Sequence, residues 1–107
     1  MVNKMTPEKI VQNKILETLR DLEKDGYPII IQRRQAGSYN YSKGIPDVYF
    51  IYNGIHVECE VKRPGGHLST MQEKWRDRCL QRNCLWCCVE SIEDLKLFMR
   101  IHFNINI

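Results

Sequence analysis

The sequence predicts an α/β (α+β) domain, helices packed on a small mixed sheet in the order α-β-β-β-α-β-α. Three observations lead there. Three stretches open on a capping hydroxyl and continue with apolar residues at helical spacing. Two others are short apolar runs of strand length. Between these, Asn53-Gly54 joins two alternating runs, the strongest short signal for a hairpin. At 107 residues the chain is expected to form one domain over 1–107.

Each element has its own signature. Thr6-Pro7-Glu8 combines a capping hydroxyl, a proline at the first helical position and an acid in the first turn. Val11, Ile15, Leu19 and Leu22 then form a stripe, and Asp25-Gly26 closes the helix. Residues 28–34, PIIIQRR, read as a β-branched strand, followed by a polar loop from Gln35 to Lys43. The hairpin occupies about 46–62 and ends at Pro64-Gly65-Gly66. Ser69 and Gln72 fit a capping box, so a second helix starts there, with Met71, Trp75, Cys79 and Arg82 on one side. Leu85 to Val89 reads as a strand, and Ser91 opens a third helix carrying Leu95, Phe98, Met99 and His102 on one flank.

Composition narrows the function classes. Hydrophobic residues make up 43% and charged residues 27%, as in an ordinary globular protein. No apolar run approaches the ~18 residues that span a membrane, and nothing at the N-terminus resembles a signal peptide. An intracellular, cytoplasmic protein without a membrane partner is therefore expected, its five cysteines free. Cys84 and Cys87 form one CxxC, and with Cys79 they raise the alternative of a zinc-binding adaptor. A buried strand from Cys84 to Val89, with cysteine as a small hydrophobe, is the favoured reading. The net charge of +3 tolerates an anionic partner. Its distribution says more, because Arg33 and Arg34 precede the hairpin while Lys62, Arg63, Lys74, Arg76, Arg78 and Arg82 follow it.

Counting outward from Asn53-Gly54 pairs residues whose numbers sum to 107. Val48, Phe50, Tyr52, Ile55, Val57, Cys59 and Val61 then share one face, which reads as the core side. Asp47, Tyr49, Ile51, His56, Glu58, Glu60 and Lys62 share the other, with Asp47 opposite Glu60 at the open end. Two carboxylates about 5 Å apart repel by about 3–4 kcal/mol at an effective dielectric near 20. A cation between them, a proton on one, or water around both removes that penalty. Oxygen-rich ligands suit a hard divalent ion, Mg²⁺ or Mn²⁺. Lys62 beside such a pair can orient an attacking water and steady charge developing on phosphorus, a metal-assisted phosphodiesterase arrangement. Glu58, farther from the open end, reads as a surface acid. Glu8 faces inward on the first helix, with Gln12 one turn on; it either answers the helix dipole or adds a third acid to the site.

Gly44-Ile-Pro-Asp47, Glu60-Val-Lys62 and Gly66-His-Leu-Ser69 with Gln72 resemble, in order and separation, the VRR-NUC domain of the PD-(D/E)XK nuclease superfamily. Glu8-x-x-x-Gln12 is similar to that family's opening signature. The resemblance covers essentially the whole chain, from about Glu8 to Val89, and the motif residues show no departure from the pattern. It implies a restriction-endonuclease-like core and phosphodiester hydrolysis with Mg²⁺ or Mn²⁺. Asp47 and Glu60 would be metal ligands with the carbonyl of Val61, Lys62 would serve the water, Glu8 would stand near the metal, and Gln72 would be a polar residue of the site.

Stand-alone members of this type, often viral, resemble Holliday junction resolvases and act as homodimers, as cutting two strands symmetrically requires. A dimeric endonuclease selective for branched DNA is the resulting expectation. Arg33, Arg34, Lys43, Arg63, Lys74 and Arg76 are candidate phosphate contacts; Tyr39 and Tyr41 read first as ordinary loop tyrosines, with stacking on exposed bases as the alternative. The alternatives are a flap or nick endonuclease acting as a monomer or within a complex, and a non-catalytic nucleic-acid-binding module.

Overall fold

The structure, a computed structural model, describes residues 5–34 and 44–107. The polar loop from Gln35 to Lys43, with Tyr39, Tyr41 and Lys43, lies outside those residues. The elements follow the expected order: α1 (Pro7–Lys24), β1 (Ile29–Arg33), β2 (Val48–Tyr52), β3 (Ile55–Val61), α2 (Thr70–Gln81), β4 (Leu85–Val89) and α3 (Ile92–Phe103). The result is an α+β architecture with a mixed sheet in the spatial order β1-β2-β3-β4. β1, β2 and β3 pair antiparallel, and β4 runs parallel to β3 through the α2 crossover.

Local chemistry sets the helix ends. The Thr6 hydroxyl accepts the Lys9 N–H at 3.2 Å, and Pro7 sits where a missing N–H loses no helical bond. In α2 both halves of the capping box form: Gln72 N–H donates to Ser69 Oγ at 3.2 Å, and Ser69 N–H donates to Gln72 Oε1 at 2.8 Å. Asn53 and Gly54 both have positive φ, 48° and 85°, as a two-residue hairpin turn requires. The expected register follows, with Tyr52 opposite Ile55, Phe50 opposite Val57 and Val48 opposite Cys59. The ladder stops there, one position short of Asp47 and Glu60.

One face of the sheet carries the core. Val48, Phe50, Val57, Cys59, Val61, Cys87 and Val89 are buried against Ile15, Leu16, Leu19 and Leu22 of α1 and Leu95 and Met99 of α3. The other face is covered only in part, by α2 packed on β4, with Cys79 buried and Ile30 of β1 left 54% exposed. Of the side of α2 read from the sequence, Cys79 is buried and Trp75 half-buried, while Met71 and Arg82 are exposed. The expected buried strand after Cys84 alternates instead: Cys87 and Val89 are buried, but Cys88 is exposed. β4 is an edge strand with one well-covered face, so only every second residue enters the core. No helix among the described residues is long and apolar enough to cross a membrane.

Gly44 ties the loop before β2 to the start of α2. Its φ is 90°, and a Cβ placed there would lie 2.4 Å from the Met71 carbonyl oxygen. Gly44→Ala should therefore lower stability by about 2 kcal/mol, from left-handed strain and loss of this close approach. Urea unfolding checks this; a variant as stable as the parent would show that the approach is not required.

Candidate active site

The open end of the hairpin is where the chemistry collects. Arg33, Val48 and Cys59 face one another across β1, β2 and β3, so one register step further sets Arg34, Asp47 and Glu60 in a row on the opposite face. A cavity of about 250 Å³ opens at this end. Glu8 and Gln12 of α1 line it, as do Gly44 and Asp47, Glu60 and Val61 of β3, and Gln72 of α2. Helices from both sides of the sheet thus reach one site because it lies at a strand end. The structure brings together Glu8, Asp47, Glu60, Val61 and Gln72, all named from the sequence. Glu8 lines the cavity from the first turn of α1, and Gln72 both caps α2 and lines the cavity.

Glu60 is the electrostatic centre. Only 6% of it is exposed. Burial pushes its carboxyl up, the Lys62 ammonium draws it down, and the charges of Asp47 and Glu8 push it up again, to about 7. Lys62 Nζ stands 3.8 Å from Glu60 Oε1, and its side chain is 14% exposed. Glu60 is thus a buried carboxylate beside two other acids, with one cation at the limit of ion-pair range.

Glu58, two residues earlier on the same face, is not the surface acid expected, for it is 2% exposed. Arg34 donates to it with both terminal nitrogens, at 2.6 Å to Oε1 and 2.9 Å to Oε2, and His56 Nε2 contacts Oε2. Burial works to raise the Glu58 carboxyl, but the hydrogen bonds from Arg34 and His56 outweigh it and hold it below its ordinary value. The Arg34 guanidinium also lies 4.4 Å from the Tyr49 ring centre and donates to the Pro46 carbonyl at 2.8 Å. Its backbone N–H donates to the Asp47 carbonyl at 2.6 Å. Arg34, named from the sequence as a phosphate contact, clamps the Pro46–Asp47 backbone to β3 through Glu58. Sequence reasoning missed this clamp because the β1–β2 register has no short turn from which to count.

The remaining cations are dispersed. Arg33, Arg63 and Lys74 are exposed, whereas Arg76 is half-buried, 5.9 Å from the Trp86 ring centre and bonded to Asp77 at 3.1 Å. Lys43 lies outside the described residues. The three cysteines of the zinc alternative do not converge. Cys79 and Cys84 adjoin where α2 meets β4, with Cys84 N–H donating to the Cys79 carbonyl at 3.0 Å, while Cys87 sits in the core opposite Cys59.

Among the described residues no three His, Cys, Asp or Glu side chains close into a cluster able to hold a metal ion by themselves. Asp47 and Glu60, with a main-chain carbonyl such as that of Val61, are a smaller set. Their oxygen chemistry fits a hard divalent cation completed by water or phosphate oxygen. Burial and like charge leave Glu60 short of positive charge, which such a cation provides.

Two measurements bear on this balance. Because the folded carboxyl of Glu60 holds its proton up to about 7, against 4.5 ordinarily, its contribution to stability is complete below pH 4.5 and is lost as pH rises through 7. In EDTA, wild type should lose about 2–3 kcal/mol more than Glu60→Gln between pH 5 and pH 8. Parallel pH profiles would exclude a raised Glu60. Glu58→Gln, which leaves Arg34 without its carboxylate, should cost about 3 kcal/mol in denaturant titrations. A loss under 1 kcal/mol would reduce the clamp to a surface ion pair.

The chain matches no protein-family model, no curated protein and no solved structure, so the chemistry of this site rests on its own side chains.

Proposed function

We propose that the chain is a metal-dependent DNA endonuclease that hydrolyses phosphodiester bonds, selects branched structures such as four-way junctions, and works as a homodimer. One observation carries this reading: Glu8, Asp47 and Glu60 line a single cavity, with the Lys62 ammonium 3.8 Å from Glu60. The ordered GxPD, ExK and G-x-L-S-x-x-Q motifs support it as well.

The Asp47 and Glu60 carboxylates and the Val61 carbonyl are the groups that would hold Mg²⁺ or Mn²⁺. A divalent ion supplies Lewis acidity toward a phosphate oxygen and positive charge against these acids. Lys62 orients the attacking water and offsets negative charge that builds on the phosphoryl oxygens. Burial, with the charges of Asp47 and Glu8 added, holds Glu60 in its raised state. Arg33, Arg63 and Lys74, all exposed, are available to DNA phosphates, whereas Arg34 serves the Glu58 clamp. Two copies related by a two-fold axis present two such sites to the two strands of a junction.

The test compares labelled four-way junction, flap, single-stranded and plain duplex DNA, with Mg²⁺ or Mn²⁺ and with EDTA, for wild type and Lys62→Ala. Metal-dependent cutting of junctions, lowered at least about 100-fold in Lys62→Ala, is expected. A variant that cuts like wild type would sink the mechanism. Cutting of plain duplex alone would sink the branch selectivity, and preference for flaps by a monomer would favour the flap or nick enzyme. Chelator-insensitive binding without cutting would leave a nucleic-acid-binding module.

A further inference from the structure

Gln12 is a buried polar group that the proposed chemistry does not yet use. It is 4% exposed, stands one helical turn after Glu8 and lines the same cavity. Its amide nitrogen is buried without a hydrogen-bond partner among the described residues. Native proteins seldom leave such a donor unpaired, because burial removes its water and returns nothing. The same cavity is lined by Glu8, Asp47, Glu60 and Gln72.

A bare cation does not answer that donor, since it needs oxygen lone pairs and repels an N–H. An oxyanion arriving with a cation brings acceptor oxygens into an acid-lined cavity that otherwise rejects anions. We infer that the Gln12 amide is a substrate-recognition group that donates a hydrogen bond to a non-bridging oxygen of the DNA phosphate in this cavity. The inference rests on the nuclease reading above and adds a residue to it. It separates two tasks in one cavity: the carboxylates hold the cation, and Gln12 reports the phosphate.

The experiment uses full-length protein carrying Lys62→Ala, so that DNA binds without being cut. Mn²⁺ affinity is measured by calorimetry, and Mn²⁺-dependent affinity for a labelled four-way junction by fluorescence anisotropy. Adding Gln12→Met should weaken junction binding about tenfold, as loss of one hydrogen bond to a charged oxygen does. Mn²⁺ affinity should stay within about threefold, and the metal-free melting temperature should not fall, because an unpaired buried donor has been removed. Gln12→Glu keeps the shape, replaces the donor by an acid, and should bind Mn²⁺ more tightly but the junction more weakly. If the Met variant fails to fold by circular dichroism, the opposed shifts of the Glu variant decide the matter. Junction binding within twofold of the parent overturns the inference, as does a tenfold loss of Mn²⁺ affinity in the Met variant, which would make Gln12 a group of the ion. A parent with no Mn²⁺-dependent junction binding removes the nuclease reading and this inference with it. A parent that binds, joined by a Met variant that binds equally, removes only the role of Gln12.

Discussion

Two carboxylates lie buried two residues apart on one face of β3, and the fold compensates only one of them. Glu58 has a bidentate arginine and a histidine, and its carboxyl is held down. Glu60 has a lysine at 3.8 Å against two other acids, and its carboxyl is pushed up to about 7. Strand, face and depth of burial are nearly the same. The difference lies in the partners, so burial of an acid does not by itself mark a site. Glu58 is the structural acid, and Glu60 is the acid the fold leaves in need of positive charge.

The satisfied acid supports the unsatisfied one. Through Arg34, Glu58 holds the Pro46 carbonyl, and the Arg34 N–H holds the Asp47 carbonyl. Gly44, packed against Met71, fixes the other end of the same short segment to α2. Asp47 is therefore carried between two anchors, one on the sheet and one on a helix, although the β2–β3 ladder has already ended. Freed from ladder pairing, that end of the hairpin can splay, and the cavity lined by α1 and α2 occupies the opening. A segment anchored at both ends can hold a repelling carboxylate in place where a loose loop would let it swing into water.

The fold was legible where the signals were local. Thr6, Ser69 and Ser91 mark helix starts, and Asn53-Gly54 sets a register that, carried one step past the ladder, places Asp47 beside Glu60. Glu8 reached the same cavity through helical phase alone. Glu58 was misread because alternation along β3 reports which face a side chain takes but not what covers that face. Its cover depends on Arg34, whose strand joins β2 through a long connection that carries no register information. The alternating burial of β4 was hidden for a similar reason: a run of apolar and cysteine residues looks alike in a central strand and at an edge. Long-range pairing, rather than propensity, is what the sequence concealed.

The donor set also bears on what kind of ion the cavity would serve under the proposed function. Mg²⁺ favours six oxygen ligands and gives up its waters reluctantly, so it is commonly held by one or two carboxylates with substrate phosphate completing the shell. Asp47, Glu60 and the Val61 carbonyl supply at most about half of such a shell if each gives one oxygen. The rest is open to water and phosphate, in a space of about 250 Å³. A cage of many carboxylates would overload the site with negative charge and close the ion to substrate. Two acids balance the ion's charge yet leave about half of its shell open to phosphate oxygen, and Glu8 adds its own charge to the field that Glu60 feels. An unpaired amide beside such an opening makes chemical sense only if something that accepts hydrogen bonds comes to fill it.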